Sequence, residues 1–290
     1  MSRSAAVLAL ALLLAGCTAE APNQSPTESP VDPATAQRVV TLAPHLAELM
    51  FAAGAGSQLV GVSAYTDYPP EAALLPLVGD AFTVDLEQLK LLDPDLILAW
   101  GSGMPAHTIE GIENAGFRVV TLSTRSLEEV PAAVEEIGRL TGNEASAARE
   151  AGRFRDAIAS LETRYRTATP IRVFFQVSAR PLYTINGEHF ISQLVEVCGG
   201  QNVFADLSEL APAVDVEAVL AREPEAVIVG SGTTDLDVWR RFKTLAATRA
   251  GNLLAVDTPH LARASTRLDD AGRRLCDVLD RARGNLDGVD

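Results

Sequence analysis

From Arg38 onward, short apolar runs rich in β-branched residues alternate with segments whose apolar positions recur every three or four residues. The runs predict strands at Arg38–Leu42, Val60–Ser63, Asp95–Trp100, Arg118–Leu122, Arg172–Val177, Ala226–Gly230 and Leu253–Asp257. The segments between them predict helices at Leu46–Ala53, Leu86–Leu92, Thr108–Ala115, Leu127–Leu140, Ile191–Val197, Val216–Ala221 and Thr266–Asp280. Such alternation predicts an α/β fold, with mostly parallel central sheets covered by helices.

One stretch breaks the alternation. Asn143–Thr167 has no proline and no strand signal, and Phe154, Ile158, Leu161 and Tyr165 fall on one helical stripe, with Glu and Arg on the other faces. This predicts a single long helix, 143–169, stopped at Pro170. It divides the body into an N-terminal lobe, 38–142, and a C-terminal lobe, 170–290: two Rossmann-like α/β lobes joined by one long helix.

The two halves repeat each other. Val84–Ala99 aligns without gaps with Val214–Val229, each position 130 residues later, with Val84/Val214, Asp85/Asp215, Glu87/Glu217 and Pro94/Pro224 identical. Each copy reads as an N-capping Asp, a two-turn helix, a proline-marked turn and a buried strand. Two similar lobes joined by one helix leave a cleft between them, a usual ligand location.

The N-terminus follows a different pattern. After Arg3, the run Ala5–Ala15 is too short to span a bilayer and suits the apolar core of a signal peptide. It ends in Leu14-Ala15-Gly16-Cys17, which resembles a bacterial lipobox and implies cleavage after residue 16 and lipid on Cys17. An ordinary signal peptide with an incidental Cys is the alternative. Residues 17–37, rich in Pro, Ser, Thr, Asn and Gln, read as a flexible tether holding a soluble body near the membrane.

Composition narrows the function. A net charge of −14 argues against nucleic acid and anionic lipid as direct partners. With aromatic residues at 5%, each Trp and Tyr matters. Beyond Cys17 only Cys198 and Cys276 remain. In an exported chain they could form a disulfide contributing about 4–5 kcal/mol by loop entropy, or stay as two buried thiols. Gly101-Ser-Gly103-Met-Pro-Ala106 nominally fits a dinucleotide fingerprint but lacks the acidic residue about twenty positions on, so it reads as a loop. No G-x-S-x-G, H-E-x-x-H or P-loop occurs, and the four His are scattered. No catalytic residue, metal site or cofactor is assigned, although ligands from distant segments could converge.

Arg38–Gly61, Ala64-Tyr-Thr-Asp-Tyr-Pro-Pro-Glu71, Val84–Trp100 and Leu194-Val-Glu-Val-Cys-Gly-Gly-Gln-Asn-Val-Phe204 resemble the periplasmic cobalamin-binding proteins of vitamin B12 ABC importers. Those proteins belong to the helical-backbone (class III) solute receptors, which also bind haem and ferric siderophores. The resemblance runs from about Arg38 to Leu279, and the pair Cys198 and Cys276 matches the family's disulfide. It implies a shallow cleft gripping cobalamin as cargo, with no chemistry done. Tyr65, Trp100 and Arg263 match ligand-side residues of the family; the alternatives are core packing for Trp100, a structural turn for Tyr65 and a solvated helix start for Arg263. A pocket Trp of the enteric relative is absent at Ala81-Phe82, so Phe82 takes that role, and Tyr183 adds a face from the second lobe, where another Trp is replaced around Ala211-Pro212. The acidic pocket residue is shifted or lost near Asp257-Thr258-Pro259. Glu87 and Glu217 match the carboxylates that dock on arginines of a permease dimer; the plain alternative is first-turn Glu residues favoured by the helix dipole. The reading is a monomeric, lipid-anchored receptor on the periplasmic side, with haem or siderophore binding, or a metal-dependent two-lobed enzyme, as the alternatives.

Overall fold

The computed structural model describes residues 35–80, 82–230 and 235–288. The signal peptide, Cys17, most of the tether and Ala81 lie outside the described residues.

In chain order the N-terminal lobe comprises β1 (Val39–Thr41), α1 (Pro44–Ala52), β2 (Leu59–Val62), α2 (Leu86–Leu92), β3 (Leu96–Trp100), α3 (Ala106–Asn114), β4 (Val119–Leu122) and α4 (Glu129–Thr141). The long helix α5 (Glu144–Tyr165) follows. The C-terminal lobe then runs through β5 (Ile171–Gln176), β6 (Ser178–Ala179), β7 (Leu182–Tyr183), α6 (Phe190–Val197), β8 (Gly200–Asn202), α7 (Val216–Ala221), β9 (Ala226–Gly230), α8 (Asp237–Arg240), α9 (Ala246–Arg249), β10 (Leu253–Val256) and α10 (Leu268–Asp287).

Two four-stranded sheets form, ordered β2-β1-β3-β4 and β8-β5-β9-β10, and both are parallel throughout. Matched strand for strand, the two orders are the same. Alternation along each strand explains the layers. Leu96 and Leu98 of β3 and Ala226 and Ile228 of β9 face one shared core, which takes in α1, α4, α5, α6 and α10. Ile97 and Ala99 face a separate cluster with Leu89 and Ile112, while Val227 and Val229 face another with Val219 and Trp239. Both faces of each sheet are therefore covered, which is why these strands read as unbroken apolar runs.

The internal repeat is physical as well as textual. Asp85 Oδ1 accepts from the Glu87 and Gln88 amides at 3.0 Å, and Asp215 Oδ1 accepts from the Ala218 amide at 2.7 Å. After each helix a non-glycine residue turns left-handed just before the proline: Asp93 at φ 46° and Glu223 at φ 44°. Arg38 donates to the Leu92 and Asp93 carbonyls, and Arg172 to the Arg222 carbonyl. These arginines stand at the amino ends of β1 and β5, so α2 and α7 end there and begin at the opposite, carboxyl-end side.

The Cys198–Cys276 disulfide is formed, spanning 78 residues and joining the end of α6 to α10. Asn143 precedes α5, whose apolar stripe buries Ala147, Ala151, Phe154, Leu161 and Tyr165. The helix lies within the predicted 143–169, starting one residue later and ending four residues sooner, at Tyr165. Among the described residues no helix is long and apolar enough to cross a membrane.

Candidate functional site

The lobes meet through segments just beyond strand carboxyl ends. Arg125, after β4, pairs with Glu188 at 2.6 Å, and its carbonyl accepts from the Phe190 amide at 2.7 Å. Arg263, in the loop after β10, reaches the loop after β2. The crevice beyond the carboxyl ends of an open parallel sheet is where such folds take ligands.

One buried carboxylate organises the crossing. Helix α1 buries six consecutive residues, His45–Met50, and Glu48 is among them. A carboxylate there needs donors, because an unpaired buried charge costs several kcal/mol. The other lobe supplies them. Ser265 Oγ donates to Glu48 Oε2 at 2.6 Å, and Arg263 Nη1 and Arg267 Nη1 donate to Oε1 at 3.1 and 3.3 Å. Arg263 also donates to Asp67 Oδ1 at 2.5 Å and to the Tyr65 carbonyl at 3.1 Å. The Arg267 guanidinium lies 3.9 Å from the Tyr68 ring centroid. Beside this node a cavity of about 480 Å³ is lined by Glu48, Tyr68, Arg153, Arg267 and Asp269, among others.

Tyr65 is the most exposed aromatic of the crevice, at 82%, and adopts a left-handed backbone at φ 66°. That conformation costs a tyrosine about 1–2 kcal/mol. The bond from Arg263 to its carbonyl helps hold it in place. Trp100 ends β3 half-buried, edge-on to His45 with ring centroids 5.3 Å apart. Gly103 makes room for this indole: a Cβ there would sit 2.2 Å from the ring. His45 Nε2 lies 3.3 Å from Thr124 Oγ1. Burial, reinforced by the charge of Arg263, lowers the His45 pKa to about 4, so the ring is neutral at pH 7.

Phe82 is 70% exposed, on a turn where Asp80 accepts from the Phe82 and Thr83 amides at 2.8 and 2.7 Å. Those two bonds hold the Asp80 carboxyl below its ordinary range. Tyr183 is exposed on the β6–β7 hairpin and bridges to Ala213. Among the described residues, no hydrogen bond or ring contact links Phe82 or Tyr183 to Tyr65, Trp100 or Arg263. What is brought together is Tyr65 with Arg263, by the bond to the Tyr65 carbonyl, and Trp100 with His45.

Arg263 corrects the picture of a solvated helix-start residue. Its side chain is only 21% exposed, and two carboxylates and a carbonyl occupy it. Glu48, Ser265 and Arg267 were not singled out from the sequence. The available signal was a lone acidic residue inside Leu46-Ala-Glu-Leu-Met50, an apolar helix that had to bury its charge. Glu87 stands in the first turn of α2, its side chain 82% exposed and paired with Lys90 at 2.8 Å. Glu217 occupies the same place on α7 and is exposed. Among the described residues no group of three or more His, Cys, Asp or Glu is placed to hold a metal ion.

Comparison with known proteins gives this geometry a family. The chain is 33% identical over 249 residues, 85% of its length and 90% of the relative's, to the vitamin B12-binding protein of Vibrio cholerae serotype O1. A crystal structure of the periplasmic vitamin B12-binding protein of Vibrio cholerae superposes with a TM-score of 0.77 at 33% identity, covering 86% of this chain and 98% of that one. A periplasmic haem-binding protein from Roseiflexus shares the fold, with a TM-score of 0.73 at 23% identity, covering 85% of this chain and 99% of that one. The family model for periplasmic binding protein matches residues 39–252, and the chain belongs to that family.

Proposed function

We propose that this protein is the solute receptor of an ABC importer, capturing cobalamin in the crevice between its lobes and delivering it to the permease without chemical change. The observation that carries the reading is its 33% identity, across 85% of the chain, to a vitamin B12-binding protein. The crevice supports it. Tyr65, Phe82 and Tyr183 stand exposed and Trp100 half-buried, and stiff aromatic faces suit a flat macrocycle. Arg263 serves the site mainly by fixing Tyr65.

Glu87 and Glu217 dock the receptor on a symmetric permease dimer, each carboxylate receiving a guanidinium through charge-assisted hydrogen bonds. Their matched positions on α2 and α7, at the carboxyl-end side of the two sheets, support this pairing. The body is a monomer, exported and held at the periplasmic side of the membrane by lipid on Cys17.

Titration calorimetry of the purified receptor with cyanocobalamin and with haemin tests the reading. Saturable 1:1 binding of cyanocobalamin is expected; binding of haemin alone overturns it in favour of the haem alternative. Uptake of labelled cobalamin should fall in Glu87→Ala/Glu217→Ala cells while the purified double variant keeps its affinity. Normal uptake in those cells removes the docking role.

A further inference from the structure

The repeat relating the lobes places two very different residues at one position. Trp100 ends β3, and Gly230, 130 residues later, ends β9. In the N-terminal lobe the indole fills the space beyond the strand, against His45, whose Nε2 meets Thr124 Oγ1 at 3.3 Å. The C-terminal lobe places a threonine and a histidine at comparable points. Thr258 is the second residue after β10, as Thr124 is the second after β4. His189 caps α6. A Cβ built on Gly230 meets none of the described residues within 4 Å. A cavity of about 180 Å³ is lined by Gly230, Thr258 and His189 together with Gln176 and Pro259.

Two hydrogen-bonding groups on this cavity lack protein partners among the described residues. Thr258 is 2% exposed, and its Oγ1 is buried and unbonded. His189 Nδ1 accepts from the Ile191 amide at 3.1 Å, which leaves the ring proton on Nε2, and no described residue accepts it. Gln176 is already satisfied, accepting from Trp239 Nε1 at 2.7 Å and donating to the Asp235 carbonyl at 3.2 Å. A buried hydroxyl without a partner is costly unless something else bonds it.

We infer that this cavity is a subsite for one neutral arm of the ligand, a primary carboxamide or a group of like chemistry, which accepts from His189 Nε2–H and bonds Thr258 Oγ1. The inference rests on the corrinoid reading above, since a corrin ring carries carboxamide arms on its rim. The cavity is smaller than the roughly 300–1,000 Å³ of whole-ligand sites, so it admits an arm and not the macrocycle. A neutral arm suits it. Burial lowers the His189 pKa to about 4, so the ring brings no charge at pH 7, and among the described residues no arginine or lysine lines the cavity. A carboxylate placed there would lose its hydration without a cation in return.

The test measures affinity for cyanocobalamin and for its separate monocarboxylic derivatives, in each of which one rim amide is hydrolysed. For the unaltered receptor, one derivative should bind at least tenfold more weakly than the rest at pH 7. Thr258→Val and Gly230→Leu, which remove the hydroxyl and fill the space, should each weaken cyanocobalamin binding about tenfold and level the differences between derivatives. Thr258→Ser should retain both affinity and discrimination. Melting curves confirm that each variant is folded; if Gly230→Leu is not, Thr258→Val and Thr258→Ser carry the test. Equal binding of all derivatives by a receptor that binds cyanocobalamin tightly overturns the subsite alone. Failure to bind cyanocobalamin at all overturns the corrinoid reading and the subsite with it.

Discussion

The two lobes share a backbone plan and differ in what they place at its working edge. Both order their strands alike, cap the matching helix with Asp, turn left-handed before a proline and latch the helix end with an arginine. Yet Trp100 is matched by Gly230, and Leu74 and Leu77 stand exposed on the N-terminal lobe while Phe204 is buried in the C-terminal one. Phe204 lies beneath the Arg222 guanidinium, 4.6 Å from ring centroid to cation. The shared features satisfy backbone groups that any copy of the unit exposes. The differing residues sit where the frame leaves side chains free to vary.

The largest expected effect comes from a device that only one lobe has. Cys198→Ala/Cys276→Ala should lower stability by about 4 kcal/mol, because the bridge closes 78 residues of the C-terminal lobe. Urea unfolding with and without reductant measures this, and in the unaltered protein reductant should reproduce the loss. A change below about 1 kcal/mol would mean that the bridge constrains little of the unfolded chain.

Next is the crossing between lobes. Glu48→Ala leaves Arg263, Arg267 and Ser265 without their shared acceptor and should cost about 3 kcal/mol. It should also weaken ligand binding, since Arg263 holds Tyr65. Denaturation together with titration separates these effects; full stability would show that the arginines find other partners in the crevice.

Tyr65 and Trp100 sharpen the comparison within the N-terminal lobe. Tyr65→Ala should weaken cobalamin binding by about 1–3 kcal/mol with little change in melting, because the ring is exposed at 82%. Trp100→Ala should lower both, because the indole packs on the core and is only half-buried at the carboxyl end of β3. Unchanged affinity in both variants would remove the aromatic wall from the site.

The smallest expected effect is a matched pair. Asp85→Ala and Asp215→Ala should each cost about 1 kcal/mol, the value of one N-cap. Unequal losses, read from chemical unfolding, would show that the two copies of the unit are not energetically equivalent.

Much of this frame was legible because it rests on local periodicity. The strand Ala226–Gly230 and the helices Leu86–Leu92 and Val216–Ala221 have the predicted boundaries. Strand β8 escaped because Gly200-Gln-Asn202 contains no β-branched residue; pairing with β5 makes it a strand. Helices α8 and α9, of four residues each, are too short to show a period. The crevice was legible only in part. Tyr65, Trp100 and Arg263 could be named, but Arg263 meets Glu48 across 215 residues of chain, and no local pattern encodes that meeting. The textual repeat ended at Ala99 and Val229, one position short of the Trp100–Gly230 pair that most separates the lobes.

The Glu48 node bears on how such receptors can be recombined. The donors named on this carboxylate come from the opposite lobe, so a chain cut after α4 would keep a buried negative charge and lose the groups that neutralise it. The lobes are therefore not interchangeable parts, despite sharing one plan. A chimera taking its C-terminal lobe from another receptor must bring equivalents of Arg263, Ser265 and Arg267, or replace Glu48 with an apolar residue of similar volume. Grafting a new ligand preference onto this scaffold is more readily done at strand ends, such as position 230, than by exchanging whole lobes.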